Sequence, residues 1–171
     1  MCDRYRRRRG ADIALRRLTV RNRVSSEPIT SFDVRDPSRR QFGLLEFRGG
    51  LVLRSPSKNF GGISAIRLAA DGAHFIAVSD KEWWFRGRLL YEGTRPSGIA
   101  DAEMAPMLGA DGHPLAARGW YDAESIAVDG TLYVGIERVH QIVSVQLRQG
   151  GPTRARSAHC AAAGPSLASC E

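Results

Sequence analysis

The chain has 171 residues, with 25 lysines and arginines against 18 aspartates and glutamates, and a net charge of +7. This length predicts one domain, or two at most. The longest apolar runs, such as residues 75–78, fall far short of the roughly 20 residues that a membrane-spanning helix needs, so no membrane span is expected. The composition also excludes a collagen, a coiled coil and a wholly disordered chain.

The positive charge is concentrated at the start of the chain. Residues 1–24 carry nine arginines and two aspartates, whereas residues 25–171 carry 16 basic and 16 acidic side chains. We predict that residues 1–24 form an Arg-rich mobile arm. A nucleic-acid-binding domain spreads its basic residues over a folded face, so the neutral remainder argues against nucleic acid as a partner. The arm alone could attract nucleic acid or anionic lipid by charge, or be merely solvated.

Residues 25–148 alternate short β-type runs with turns rich in Gly, Asp and Pro, and predict an all-β domain. Gly49-Gly50, Asp71-Gly72 and Asp129-Gly130 each separate two such runs, as expected of hairpin turns with positive φ angles. Residues 149–171 hold a single large apolar residue, Leu167, and are predicted to be a disordered tail.

Neither the cysteines nor the N-terminal segment indicates export of this chain. The three cysteines, Cys2, Cys160 and Cys170, lie near the termini, and their spacing matches no zinc site. No apolar stretch of 7–15 residues, as an export signal requires, lies near the N-terminus. As written, the chain is therefore expected in the cytoplasm.

The hairpins around Asp71-Gly72 and Asp129-Gly130 resemble each other. In both, a Ser-Ala-Ile or Ser-Ile-Ala segment precedes the turn and an apolar run follows it, and the turns lie 58 residues apart. The second runs are followed by an acidic residue, Asp80 in one copy and Glu137 in the other. A repeat of three or four strands at this period suggests propeller blades. A single β-meander with coincidental turns is the alternative.

Several motifs occur in an order that resembles the phytase-like family, described as "esterase-like activity of phytase". They are residues 60–66 (Phe-Gly-Gly-Ile-Ser-Ala-Ile), 75–80, 121–127 and 135–138, together with 98–106 and 115–120, which are typical of bacterial members. The resemblance covers about residues 40–147. It implies a β-propeller from a family that is usually exported and whose members are longer. Because propellers typically need 4–8 blades, we expect a truncated member with a partial propeller of about two to three blades.

The resemblance also implies a site. Asp80, Asp122, Glu124 and Glu137 would converge at one mouth of the propeller and hold Ca²⁺, which prefers oxygen ligands. The alternative is that these carboxylates accept backbone N–H bonds at strand ends and stay solvated. Residues 122 and 124 would lie on the same side of an extended strand, since side chains alternate.

Lys81 and Arg138 follow acidic positions directly and are the candidate contacts for a small anionic or ester substrate; the alternative is solvated turn charges. No G-x-S-x-G or phosphate-binding loop is present. The expected function is therefore metal-assisted hydrolysis of a phosphoester or carboxylester, with activity in doubt if the propeller is incomplete. The alternative is a non-enzymatic, propeller-type binding module. Open blade edges would favour self-association.

Overall fold

The structure, a computed structural model, describes residues 19–109, 111–129, 131–148 and 151–159. Within these ranges the chain is all-β, as predicted, with two short 3₁₀ helices at Leu115–Arg118 and Glu137–Val139. The strands are β1 (Val20–Arg21), β2 (Ser25–Ile29), β3 (Gln41–Phe42), β4 (Leu45–Glu46), β5 (Gly50–Arg54), β6 (Ile63–Leu68), β7 (His74–Ser79), β8 (Trp83–Glu92), β9 (Arg95–Pro106), β10 (Ala123–Asp129), β11 (Thr131–Ile136), β12 (Gln141–Arg148) and β13 (Gly151–His159).

The first sheet has five antiparallel strands in the order β1-β9-β8-β7-β6. The Asp71-Gly72 turn joins β6 to β7, as the sequence predicts. The Asp71 carboxylate accepts the N–H groups of Ala73 and His74 at 2.9 and 3.0 Å, and Gly72 has a φ of 69°. This turn sets the register in which Ile66 lies opposite Ala77.

The second sheet has four antiparallel strands in the order β10-β11-β12-β13. Its strands are rich in β-branched residues, which suit a pleated, half-buried surface. Ile126 pairs with Val134, which in turn pairs with Val143, and all three are buried.

The two sheets pack face to face through alternate side chains of β7. Val78 belongs to the cluster that contains Leu132, Val134 and the other buried residues of the second sheet. Phe75 and Ala77 point to the opposite face, into a second cluster that segments preceding β6 cover. Both faces of the first sheet are therefore covered, because side chains alternate along a strand.

The covering layer on that opposite face comes from the N-terminal part of the described chain. β2 and β5 form an antiparallel ladder, and Val24, Leu53 and Phe60 pack against the cluster around Phe75. The described sheets are open, and none closes on itself. Layered antiparallel sheets are consistent with a partial propeller of two to three blades, while closure into a ring stays a prediction.

Both predicted terminal segments differ from the structure. Val20–Arg21 pairs with β9, and the Asn22 N–H donates to the Ala102 carbonyl at 2.9 Å, so the segment predicted as a mobile arm ends earlier than residue 24. Gly151–His159 pairs with β12, so the predicted disordered tail contains a strand. The prediction rested on the lack of apolar side chains in this segment. Pairing with the edge of a sheet needs only backbone hydrogen bonds, so such a segment can still form a strand. Residues 1–18 and 160–171, with the three cysteines, lie outside the described residues.

In the part of the chain that the structure describes, no helix has the length and apolarity to cross a membrane.

Candidate functional site

One end of the two sheets gathers acidic residues, and we call it the site end. It comprises the start of β6, the end of β7, the start of β10 and the end of β11. Three backbone hydrogen bonds link these segments in series. The Asp80 N–H donates to the Gly62 carbonyl at 2.9 Å, the Asp122 N–H to the Asp80 carbonyl at 3.2 Å, and the Glu137 N–H to the Asp122 carbonyl at 2.8 Å. The fold thus brings residues 80, 122 and 137 to one place.

Glu82 is buried at this end, in the short connection between β7 and β8. Only 1% of its surface is exposed, and neither carboxylate oxygen has a hydrogen-bond partner of normal geometry. Asp80 Oδ1 is likewise buried without a partner. Buried polar atoms are nearly always paired, so orphaned carboxylate oxygens in two neighbouring residues require an explanation.

The environment of Glu82 raises its pKa from 4.5 to about 7. The largest cause is burial, which penalises the charged carboxylate; the negative charges of Asp122 and Asp80 add to it. The backbone N–H groups of Ala123 and Asp122 lie near enough to lower the pKa in part, although neither makes a well-formed hydrogen bond. Glu82, Asp80 and Asp122 therefore form one electrostatically coupled group, which we call the carboxylate cluster.

Backbone strain concentrates at the same end. Among the described residues, the non-glycine residues with positive φ are Glu82 (56°), Asp101 (54°), Asp122 (67°) and His140 (49°), and all but Asp101 lie at the site end. A left-handed conformation is costly for a residue with a Cβ and tends to persist at functional positions. The strain therefore marks the same place as the unpaired carboxylates.

Gly62 makes room for the Asp80 carboxylate. Its φ is 60°, and a Cβ built on it would overlap the carboxylate oxygens of Asp80. Only glycine satisfies both the left-handed backbone and this close approach. Gly62, directly before β6, is therefore part of the site.

A family comparison covers this whole region. The model of the family described as "Phytase-like: Esterase-like activity of phytase" matches residues 58–162, well over half of the chain. The chain belongs to the phytase-like family. The match begins later and ends later than the range of about 40–147 expected from the motifs. No curated protein and no solved structure matches the chain.

Of the four carboxylates predicted for this phytase-like chain, two lie away from the cluster. Glu124 is exposed on β10, where the Ser64 hydroxyl donates to its Oε1 at 3.5 Å. Glu137 is exposed at the start of a 3₁₀ helix and is linked to the cluster through its backbone. The expected same-side arrangement of residues 122 and 124 does not apply. Asp122 precedes the strand in a left-handed conformation, and the pairing is irregular between Ala123 and Ser125.

Both predicted substrate contacts are exposed cations next to the cluster in sequence. The Lys81 Nζ donates to the Lys58 carbonyl at 3.5 Å. The Arg138 guanidinium lies 5.5 Å from the centroid of the Tyr121 ring. Their exposure leaves both charges accessible to an anionic ligand.

The described residues contain no group of three or more His, Cys, Asp or Glu side chains with the spacing of a formed metal site. Carboxylate oxygens are the donors that Ca²⁺ prefers, and a cation at this end of the sheets stays a prediction. Glu82 is the member that the sequence analysis missed. Its signal was the Asp80-x-Glu82 spacing directly after a buried strand.

A cleft lies elsewhere in the described chain. It has a volume of about 660 Å³ and opens between the β6–β7 hairpin and β10, beside Leu68, Phe75, Ile76 and Val128. Its lining is mostly apolar and includes no carboxylate. We place the candidate chemistry at the carboxylate cluster because hydrolysis needs polar groups that can hold charge or move protons.

Proposed function

We propose that this phytase-like chain hydrolyses phosphate esters or carboxylic esters at the site end with the help of a bound cation such as Ca²⁺. The observation that carries the proposal is the backbone linkage of Asp80, Asp122 and Glu137 at one end of two packed sheets. The backbones of three of the four residues predicted as ligands are linked there. Membership of a family described by esterase-like activity supports an ester as the class of substrate.

In this proposal the acidic residues bind the cation and the basic residues bind the substrate. Of the predicted ligands, Asp80 and Asp122 would supply the oxygen donors for a cation, which when bound would attract an anionic ester and polarise it toward attack by water. Lys81 and Arg138 would hold the negative charge of a phosphate ester at the rim. The half-buried position of Asp122 holds its carboxylate within the site, whereas Lys81 and Arg138 remain in contact with solvent.

The test is hydrolysis of p-nitrophenyl phosphate and p-nitrophenyl acetate by the full chain, with Ca²⁺ and with excess chelator. We expect release of p-nitrophenol that depends on Ca²⁺ and falls strongly in Asp122→Asn. The control is Glu92→Gln, which changes an exposed carboxylate at the opposite end of β8 and should leave the rate unchanged. Absence of Ca²⁺-dependent hydrolysis of both esters would favour a non-enzymatic binding module.

A further inference from the structure

We propose that the β3–β4 hairpin binds the surface of an anionic lipid bilayer, with Leu44 and Leu45 inserted among the acyl chains. We call these two residues the leucine tip. The proposal goes beyond the proposed hydrolysis and does not depend on it. The hairpin also precedes residues 58–162, the part of the chain that the family model matches.

The leucine tip lies in contact with water. Leu44 is fully exposed, and Leu45 keeps 75% of its surface accessible. Phe32 and Val34, in the segment before the hairpin, are 67% and 92% exposed. Single exposed apolar side chains are ordinary, whereas a concentration of large ones marks an interaction surface. Four such residues within positions 32–45 therefore indicate a partner.

The hairpin holds its tip in an ordered turn. Phe42 pairs with Leu45 across the ladder, and Gly43 begins the turn with a φ of 62°. The Gln41 Nε2 donates to the Gly43 carbonyl at 2.8 Å. Because the turn is already formed, little conformational entropy is lost when the leucines meet a partner.

Aromatic rings and arginines surround the base of the hairpin. The Phe32 ring lies against Phe42 and Phe47, with centroids 5.1 and 5.7 Å away. The Arg39 guanidinium lies 4.8 Å from the Phe42 centroid, and that of Arg40 lies 5.8 Å from the Phe47 centroid. A segment at a membrane interface combines the same parts, since apolar groups enter the bilayer and arginines bind lipid phosphates.

The charge of this part of the chain favours an anionic lipid. Residues 30–48 carry four arginines and three acidic residues, a net charge of +1. Residues 1–24, which precede them, add nine arginines and two aspartates, a net charge of +7. A small apolar insertion alone binds a membrane weakly and reversibly, and a polybasic segment supplies the second signal that stable binding needs.

The shape of the hairpin favours a bilayer over a protein partner. Among the described strands, β3 and β4 pair only with each other and join neither large sheet. Specific protein interfaces bury roughly 800 Å² on each partner, far more than two leucine side chains at a convex tip can offer. A bilayer accepts such a tip without a matching groove. We therefore assign the leucine tip to lipid.

The test is flotation of the full chain with vesicles of phosphatidylcholine alone, and with vesicles of phosphatidylcholine and phosphatidylserine in equal parts. We expect the parent chain to float with the anionic vesicles only, and less so in high salt, which screens the charges. The double variant Leu44→Ser with Leu45→Ser should bind them at least about tenfold more weakly, because it removes the inserted apolar surface.

The matched control is Leu68→Ser with Leu90→Ser, which removes two leucines of the first sheet that are 51% and 37% exposed. This variant should bind the anionic vesicles as the parent does. Since Leu44 and Leu45 are exposed, their replacement should leave the fold intact.

Each outcome decides the proposal. Weaker binding by the leucine-tip variant alone supports it. Equal binding by that variant and the parent overturns it and assigns the attraction to the charge of residues 1–24. Failure of the parent to float with either vesicle also overturns it. If the parent then forms dimers in analytical ultracentrifugation and the leucine-tip variant is monomeric, the tip contacts a second copy of the chain instead of lipid.

Discussion

The burial of Glu82 predicts that replacing it with glutamine stabilises the chain in the absence of cations, and more so at alkaline pH. The folded-state pKa of Glu82 is raised from 4.5 to about 7 by burial and by the charges of Asp122 and Asp80. The folded state therefore holds this proton more tightly than the unfolded state. The contribution to stability is complete below about pH 4.5 and is lost as the pH rises through about 7.

The magnitude follows from the two pKa values. A rise from 4.5 to about 7 corresponds to at most about 3.5 kcal/mol at about 1.4 kcal/mol per unit. Most of this loss falls between pH 5 and pH 8, where it amounts to about 2.5 kcal/mol. Glu82→Gln cannot ionise, so its unfolding free energy relative to the parent should rise by about that amount over the same interval.

The assay is urea unfolding in excess chelator at pH 5 and pH 8, followed by fluorescence of the three tryptophans. Glu124→Gln is the control, because it removes an exposed carboxylate from the same end of the sheet. The reasoning is refuted if the difference between Glu82→Gln and the parent is the same at both pH values. It is also refuted if Glu124→Gln reproduces the effect.

Three further predictions concern the scaffold. Leu132→Ala removes a fully buried side chain from the second sheet and should lower the unfolding free energy by about 2–5 kcal/mol in urea titrations. Gly87→Ala places a methyl group 3.1 Å from the Phe75 ring and 3.0 Å from the Ala100 carbonyl, so we expect a loss of about 1–3 kcal/mol by the same measurement. Glu103→Gln breaks the pair with Arg86 on neighbouring strands; it should cost about 1 kcal/mol or less, and the cost should shrink in high salt.

The strands and their turns were predictable because they depend on local patterns. The Asp71-Gly72 turn, the alternation along β7 and the repeat around Asp129 are each encoded within a few residues. The strand at Gly151–His159 was missed for the opposite reason. Its composition predicts disorder, whereas its pairing uses backbone groups at the open edge of β12.

The site was only partly predictable, because strand alternation fails where the backbone leaves the extended region. Backbone hydrogen bonds link residues 80, 122 and 137, because each lies where a strand begins or ends, but their role as ligands stays a prediction. Glu124 was included because two-residue spacing implies a shared face, but the left-handed conformation of Asp122 removes that relation. Glu82 was missed because its burial depends on contacts with segments far away in the sequence, around Met107 and Asp122.

The role of Gly62 can be separated from its backbone freedom by comparison with Gly72. Both residues have left-handed φ angles, 60° and 69°, but a Cβ at position 62 would overlap the Asp80 carboxylate, whereas nothing lies within 4 Å of one at position 72. Gly72→Ala should therefore lose only the backbone term, about 1–2 kcal/mol. Gly62→Ala should lose that amount and also displace Asp80, so we expect weaker Ca²⁺ binding in calorimetry from this variant alone. Equal Ca²⁺ affinity in the two variants would show that the position of the Asp80 carboxylate against Gly62 has no part in cation binding.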